Sequence, residues 1–421
     1  MPNVAGEAHR SQTVLRPVLR PVRRPLRRPC GDAMSRRGRW MAGACASTAA
    51  VVLLATGGAP APAPHGALGG GSGKGVAVGA YLHYGSPGVD RMQGLSHWLG
   101  GTDLRAGHTY LPGDTWTNIE GAPDSLDTWA HWRKERADRL FVLNVPMLNQ
   151  NEAGVPDARV AELLRAGAEG ANDHHFRRLA GRLVSLGLQD TVIVLGWEMN
   201  GFNYTHRCKP DPESWKRYWR NIVSSMRSVR GQRFRFDFAP NRGPDAIGWT
   251  KCYPGDDVVD IVGMDSYDQP PGESFEEQVT QPYGLQQHVD FARAHGKQIS
   301  YPEWGLFRNG DNAEYMRDML AWIADHKPLY HSITDYCPHG VWQCGQNPRS
   351  AQVFREFLSA GRGGRPAGGP PRPDGLPDSL PDGPDGRAAD GGPGGAGEAT
   401  GPGALWGGAA LGAATAARAG K

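Results

Sequence analysis

Two glutamates stand out, because each closes an apolar run and is flanked by tryptophan. Glu198 lies in Gly196-Trp197-Glu198-Met199-Asn200-Gly201, and Glu303 in Tyr301-Pro302-Glu303-Trp304-Gly305. A carboxylate in such a place is costly unless it is paired or used. Two of them facing one cleft can split an acetal: one lends and recovers a proton while the other attacks the carbon. Direct attack needs carboxyl groups about 5–5.5 Å apart.

To meet there, both must sit at the same end of one sheet. Eight segments read as strands: Val76–Tyr84, Leu104–Tyr110, Arg139–Met147, Asp190–Glu198, Phe234–Asn241, Val258–Tyr267, Gln298–Glu303 and Ser332–Tyr336. Apolar residues at helical spacing predict helices over Leu126–Ala137, Asp173–Leu186, Pro212–Val229, Phe275–His295 and Asn312–Asp325. Apolar strands alternating with helices predict an α/β fold with a parallel sheet covered on its outside, and eight of them predict closure into a (β/α)8 barrel. An open doubly wound sheet would want a phosphate loop after the first strand, and Tyr84-Gly85-Ser86-Pro87-Gly88 is not one. In a barrel, the ends of the fourth and seventh strands lie nearly opposite each other at the active rim.

The ends of the chain differ from this middle. Residues 1–33 read as a non-structural extension, with Met34 as a second start. Residues 34–63 have the layout of a signal peptide: Arg36, Arg37 and Arg39, then the apolar run Met41–Ala55, too short for a membrane span. A linker follows at 64–75, the catalytic domain at 76–358, and a Gly/Pro-rich tail, expected to be disordered, at 359–421. Export to the extracellular space is therefore expected. The weakly apolar Ala404–Ala417 faintly suggests cell-wall association.

The formal charge of +3 belongs to the leader: ten of the 46 basic residues and two of the 43 acids fall in residues 1–63, which leaves −5 for the rest. A mildly acidic chain gives no reason to expect nucleic acid as a partner. Four of the six cysteines lie beyond the leader, an even number in an exported chain, and Cys208–Cys252 and Cys337–Cys344 disulfides are expected. No metal or cofactor is expected. Gly255-Asp256-Asp257 lacks calcium-ligand spacing, His174-His175 reads as solvated, and His206, His331 and His339 read as loop residues.

The two glutamate motifs, together with Asp265-Ser266-Tyr267-Asp268 and Pro240-Asn241, resemble glycoside hydrolase family 26 over Tyr81 to about Phe357. The resemblance implies a retaining hydrolase of a β-linked polysaccharide, with Glu198 as acid/base, Glu303 as nucleophile and Tyr267 orienting the nucleophile. That family usually carries histidine where Trp197 stands, which bears on the substrate. Glu198 would then be protonated at working pH, its pKa raised by burial and by Glu303. Phe202, Tyr204, Trp304 and Trp342 follow strand ends and are candidates to stack on sugar rings. His108, Asn144, Trp197, Asn200 and Asn241 are candidates for further substrate contacts. β-Mannan is the first substrate expectation, with mixed-linkage glucan or xylan next and endo action assumed. A monomer with no membrane span in its mature domain is expected. The competing class is a non-catalytic glycan-binding barrel.

Overall fold

The computed structural model describes residues 75–121 and 126–359. The expected leader and nearly all of the linker and tail lie outside them. β1 (Ala77–Tyr81), β2 (Ala106–Tyr110), β3 (Leu140–Val145), β4 (Val192–Leu195), β5 (Arg235–Phe238) and β6 (Ile261–Gly263) pair in sequence, all parallel. β9 (Tyr330–Thr334) joins β1 to β8 (Gln298–Gly305), and β8 pairs back onto β6. That last pairing closes the barrel the sequence predicted. The sixth expected strand is broken. After Gly263 the chain leaves the ladder and resumes as β7 (Ser266–Tyr267), which pairs with the far end of β8. Between them Asp265 bridges to Asn241 at the end of β5.

The helices pack outside. α6 (Pro212–Arg227) buries Trp215, Tyr218, Trp219, Ile222, Val223 and Met226, the stripe legible in the sequence, and the Asp211 carboxylate caps it by accepting from Ser214 N at 3.0 Å. It lies against α4 (Asp157–Ala168), where a Cβ on Gly167 would stand 2.6 Å from the Tyr218 ring, so only glycine permits this approach. α4 was not among the expected helices; neither were α1 (Gly85–Trp98) and α10 (Pro348–Ser359). Among the described residues six further α-helices complete the set: α2 (Trp116–Ile119), α3 (Asp127–Lys134), α5 (Asp173–Ser185), α9 (Ala313–His326) and the pair that replaces the long helix expected over 275–295. That pair is α7 (Phe275–Thr280) and α8 (Leu285–Ala294). Pro282 lacks an amide hydrogen and Tyr283 takes φ +62°, which together end one helix and start the next. The disulfides Cys208–Cys252 and Cys337–Cys344 form as expected. No described helix is long and apolar enough to cross a membrane.

The barrel interior is apolar in part and polar in part. Ala77, Ala106, Val142, Val192, Val194 and Ile261 form one apolar cluster. Asp237 is buried among the polar residues and accepts from Ser300 Oγ at 2.6 Å and Tyr330 Oη at 2.8 Å. Burial pushes its pKa up to about 6 from an ordinary 3.8, with those hydrogen bonds opposing the rise. An acid whose pKa rises on folding contributes most stability while protonated, and that contribution is lost as pH climbs from about 4 to 6. The rise bounds the cost of ionisation at roughly 3 kcal/mol. Asp237→Asn keeps an acceptor for both hydroxyls. It is expected to raise the melting temperature at pH 7.5 and to leave it unchanged at pH 4. Melting curves across that range check this, and a pH-independent difference would refute it.

Candidate active site

Glu303 is set by an irregularity in the sheet. Tyr301 faces His331 but Trp304 faces Ile333, so β8 spends three residues where β9 spends two. This bulge at Pro302-Glu303 re-aims one side chain, a device common beside active sites. Glu303 is 4% exposed. Its Oε2 accepts from Tyr267 Oη at 2.8 Å and its Oε1 from Asn144 Nδ2 at 3.0 Å. Its own amide donates to Asp265 Oδ1 at 3.1 Å, and Thr334 Oγ1 lies 2.7 Å from Tyr267 Oη. Burial raises the pKa of Glu303, and hydrogen bonds from Tyr110, Tyr267 and Asn144 pull it back. Donors aimed at both oxygens suit a carboxylate that works ionised.

Glu198 is set by a turn. Gly196 has φ +62°, and Glu198 itself has φ +48°, a left-handed conformation costing a non-glycine residue about 1–3 kcal/mol. The Glu198 amide donates to Ala239 O at 2.8 Å, tying the end of β4 to that of β5. Burial pushes the pKa of Glu198 well above the carboxylate range; the charges of Glu303 and then Asp245 push it further. Hydrogen bonds oppose the rise at Glu303, whereas the causes acting on Glu198 all raise it, an asymmetry that suits an ionised partner and a proton donor.

The other expected site residues separate into groups. His108 and Asn144 lie under the site in one relay. The Asn144 amide donates to Glu303, so its oxygen accepts from His108 Nε2 (2.9 Å), and His108 Nδ1 accepts from Ser332 Oγ (2.9 Å). Both imidazole nitrogens are thus engaged, and burial lowers the His108 pKa to about 4, keeping the ring neutral. Asn200 ties two turns together, its amide donating to Asn241 O and its oxygen accepting from Asn241 N, both at 2.8 Å. Trp304 points away from the cleft: it is fully buried, its indole N–H donates to His331 Nδ1 (3.1 Å), and it packs on Phe354 of α10. His331 is therefore a buried strand residue of β9, and His206 and His339 are buried too. Trp342 packs on α1, where a Cβ on Gly94 would come within 2.9 Å of its ring. Trp197, 3% exposed, is met edge-on by Tyr110 (5.5 Å) and Tyr204 (5.1 Å). Phe202 is 62% exposed, with Lys209 Nζ 5.6 Å from its ring.

Several neighbours of the pair were not expected. Tyr81, Tyr110 and Tyr336 end or follow β1, β2 and β9 and pack edge to face, Tyr81 standing 4.6 Å from Tyr110 and 6.1 Å from Tyr336 between ring centres. The charge of Glu303 acts on all three. The signal was present for Tyr110 and Tyr336, which end two of the predicted strands, while Tyr81 lies inside a third. Asp245 and Asp265 were passed over because nothing in their spacing separates them from other loop aspartates. Among the described residues no three His, Cys, Asp or Glu side chains converge as metal ligands.

Residues 192–316, from β4 into α9, match the family model of Glycosyl hydrolase family 26. The expected resemblance to glycoside hydrolase family 26 holds. The matched stretch contains Glu198, Asp245, Asp265, Tyr267 and Glu303, and the chain is a glycoside hydrolase. Three solved structures share the barrel fold at low identity. A Bacillus subtilis mannanase, BCman, is 18% identical, with a TM-score of 0.50 over 66% of this chain and 84% of that one. A Cellulomonas fimi endo-beta-1,4-mannanase double mutant is 17% identical, at 0.51 over 68% and 70%. The catalytic domain of a Bacillus sp. JAMB-750 endo-beta-1,4-mannanase is 19% identical, at 0.50 over 68% and 86%. At these identities the likeness speaks to the fold. No curated protein matches the chain.

Proposed function

We propose that the chain is a secreted, monomeric, retaining endo-β-mannanase. The observation that carries this reading is the asymmetry of the two carboxyls: Glu303 is held from both sides by the Tyr267 hydroxyl and the Asn144 amide, donors that favour its ionised form, whereas burial and the charge of Glu303 raise the pKa of Glu198. Glu198 protonates the glycosidic oxygen as Glu303 attacks the anomeric carbon. The C–O bond to the leaving sugar breaks and a glycosyl ester forms. Glu198, now ionised, takes a proton from water, whose oxygen attacks the same carbon and frees Glu303 with configuration retained. Tyr81, Tyr110 and Tyr336 supply ring faces and hydroxyls beside the nucleophile, and the exposed Phe202 supplies a ring beyond the acid. Mannan is favoured because the solved structures named above are called mannanases. Trp197 favours the second reading, a mixed-linkage glucanase or xylanase, since tryptophan presents a face and one donor where the family usually has imidazole. Two disulfides support an oxidising, extracellular compartment.

The test is product analysis on β-mannan, mixed-linkage β-glucan and xylan, with the anomeric configuration of the new ends followed by NMR. Retained configuration and internal cleavage of mannan are expected. Inverted products refute the double displacement, cleavage of another polymer moves the substrate, and tight binding without turnover makes the barrel a glycan-binding module.

A further inference from the structure

Two turns meet beside the acid, and both carry a carboxylate on strained backbone. Glu198 has φ +48° and Asp245 φ +36°, two of five non-glycine residues with positive φ among the described residues. The turns are stapled together. Asn200 exchanges two hydrogen bonds with the Asn241 backbone at 2.8 Å, and Ala246 N donates to Asn200 O at 3.0 Å. Asn241 Nδ2 then donates to Asp245 Oδ2 at 3.0 Å, fixing that carboxylate. The same oxygen lies 3.2 Å from where a Cβ on Gly201 would stand, so it rests against the turn that Glu198 begins. Behind both turns Cys208–Cys252 ties the two loops covalently. Strain held in place by this many bonds is characteristic of functional sites.

We propose that Asp245 is a positioning residue for the acid: its fixed carboxylate, packed against the turn that Glu198 begins, keeps Glu198 protonated. This rests on the hydrolase reading above. The groups facing Glu198 are Glu303 from β8, Asp265 from the segment after β6, Tyr267 from β7, Tyr204 from its own loop and Tyr336 from the segment after β9. Glu303 and Asp265 are buried and joined by the bond from the Glu303 amide to Asp265 Oδ1. Asp245 comes instead from the turn after β5, where the residue is exposed and its charge adds to theirs. Burial of its carboxylate raises the pKa of Asp245 itself, and the bonds from Asn241 and from the Ala246 amide oppose that rise.

The test is the pH profile of kcat/KM for the unsubstituted chain, Asp245→Asn and Asp245→Gly, on the β-glycan that the unsubstituted chain cuts. Asparagine and glycine are the residues that left-handed backbone tolerates best, so both variants suit the turn. Removing a negative charge lowers the pKa of the acid, so the basic limb moves toward lower pH. A displacement of about half a unit to one unit is expected, with the acid limb in place and kcat/KM below the optimum within about twofold. At a pH above the unsubstituted chain's basic limb this reads as a loss of about three- to tenfold. A merely structural role would lower the whole profile without moving a limb. An unmoved basic limb in the variants, or both limbs moving together, overturns the proposal. Absence of any hydrolysis by the unsubstituted chain overturns the hydrolase reading itself, a distinguishable failure.

Discussion

Glu303→Ala is expected to lower kcat by about 10⁴-fold or more on any β-glycan the chain cuts, because it removes the group that forms the covalent intermediate. The substitution also leaves Tyr267, Asn144 and Tyr110 without their shared acceptor, at a cost of about 1–3 kcal/mol for each donor stranded. Glu303→Gln separates the two effects. It keeps the shape and an acceptor oxygen, so the melting temperature should stay near that of the unsubstituted chain while turnover falls as far. Asp265 does not replace the lost nucleophile. It sits beneath Glu303, accepting from its amide, and burial followed by the charge of Glu303 drives its pKa well above the carboxylate range. Azide, a small anion, fits the space that alanine opens and attacks from the same face, so it should restore turnover and give a glycosyl azide of inverted configuration. Steady-state rates on polymer with and without azide check this. A glutamine variant that keeps more than a tenth of the activity would remove Glu303 from the reaction.

Much of this arrangement was legible before any coordinates, and the reason is physical. Strands buried on both faces must be apolar along their length, so Val192–Leu195 and its neighbours announce themselves. The α6 stripe is as plain, because a helix on a barrel has one face to bury. What stayed hidden was of two kinds. α1 carries three glycines and a proline in fourteen residues, so its composition reads as loop while packing makes it a helix. α4, by contrast, carries Val160, Ala161 and Leu164 at helical spacing and could have been found. The division of 275–295 into two helices hangs on Pro282 and on a positive φ at Tyr283, and only the proline is visible in a sequence.

The site divides in the same way. Residue types at strand ends pointed to the two glutamates and Asn144, because barrel geometry delivers strand ends to one rim, and the family resemblance pointed to Tyr267. Which way a strand-end side chain points is decided by pairing. The bulge sends Glu303 inward and leaves Trp304 facing Phe354, so a tryptophan beside the nucleophile became core. His108 is likewise placed correctly along the chain, yet its partners Ser332 and Asn144 come from strands far away in sequence, and they make it part of a relay beneath the nucleophile. Asn200 tells the same story, since its role as a staple depends on a turn some forty residues downstream.

Glu198→Ala should separate substrates by their leaving groups. On a polysaccharide, where the departing sugar oxygen needs a proton, a fall in kcat of about 10²–10⁴-fold is expected. On an aryl glycoside whose phenolate leaves unaided, the first step should run almost as in the unsubstituted chain. The second step still lacks its base, so the glycosyl ester on Glu303 accumulates and phenolate appears as a burst equal to the enzyme concentration. The pH profile carries an independent sign. Burial, then Glu303 and Asp245, raise the pKa of Glu198, so the unsubstituted chain keeps its acid protonated to higher pH than an ordinary carboxylate allows and loses activity as pH climbs through that raised value. With alanine there is no proton to lose, and the basic limb should flatten while the acid limb, set by Glu303, remains. Stopped-flow release of phenolate, read beside reducing-sugar release from polymer, measures both. Equal losses on the two substrates would mean that Glu198 acts through binding or folding, because a proton donor cannot matter equally to a leaving group that needs a proton and to one that does not.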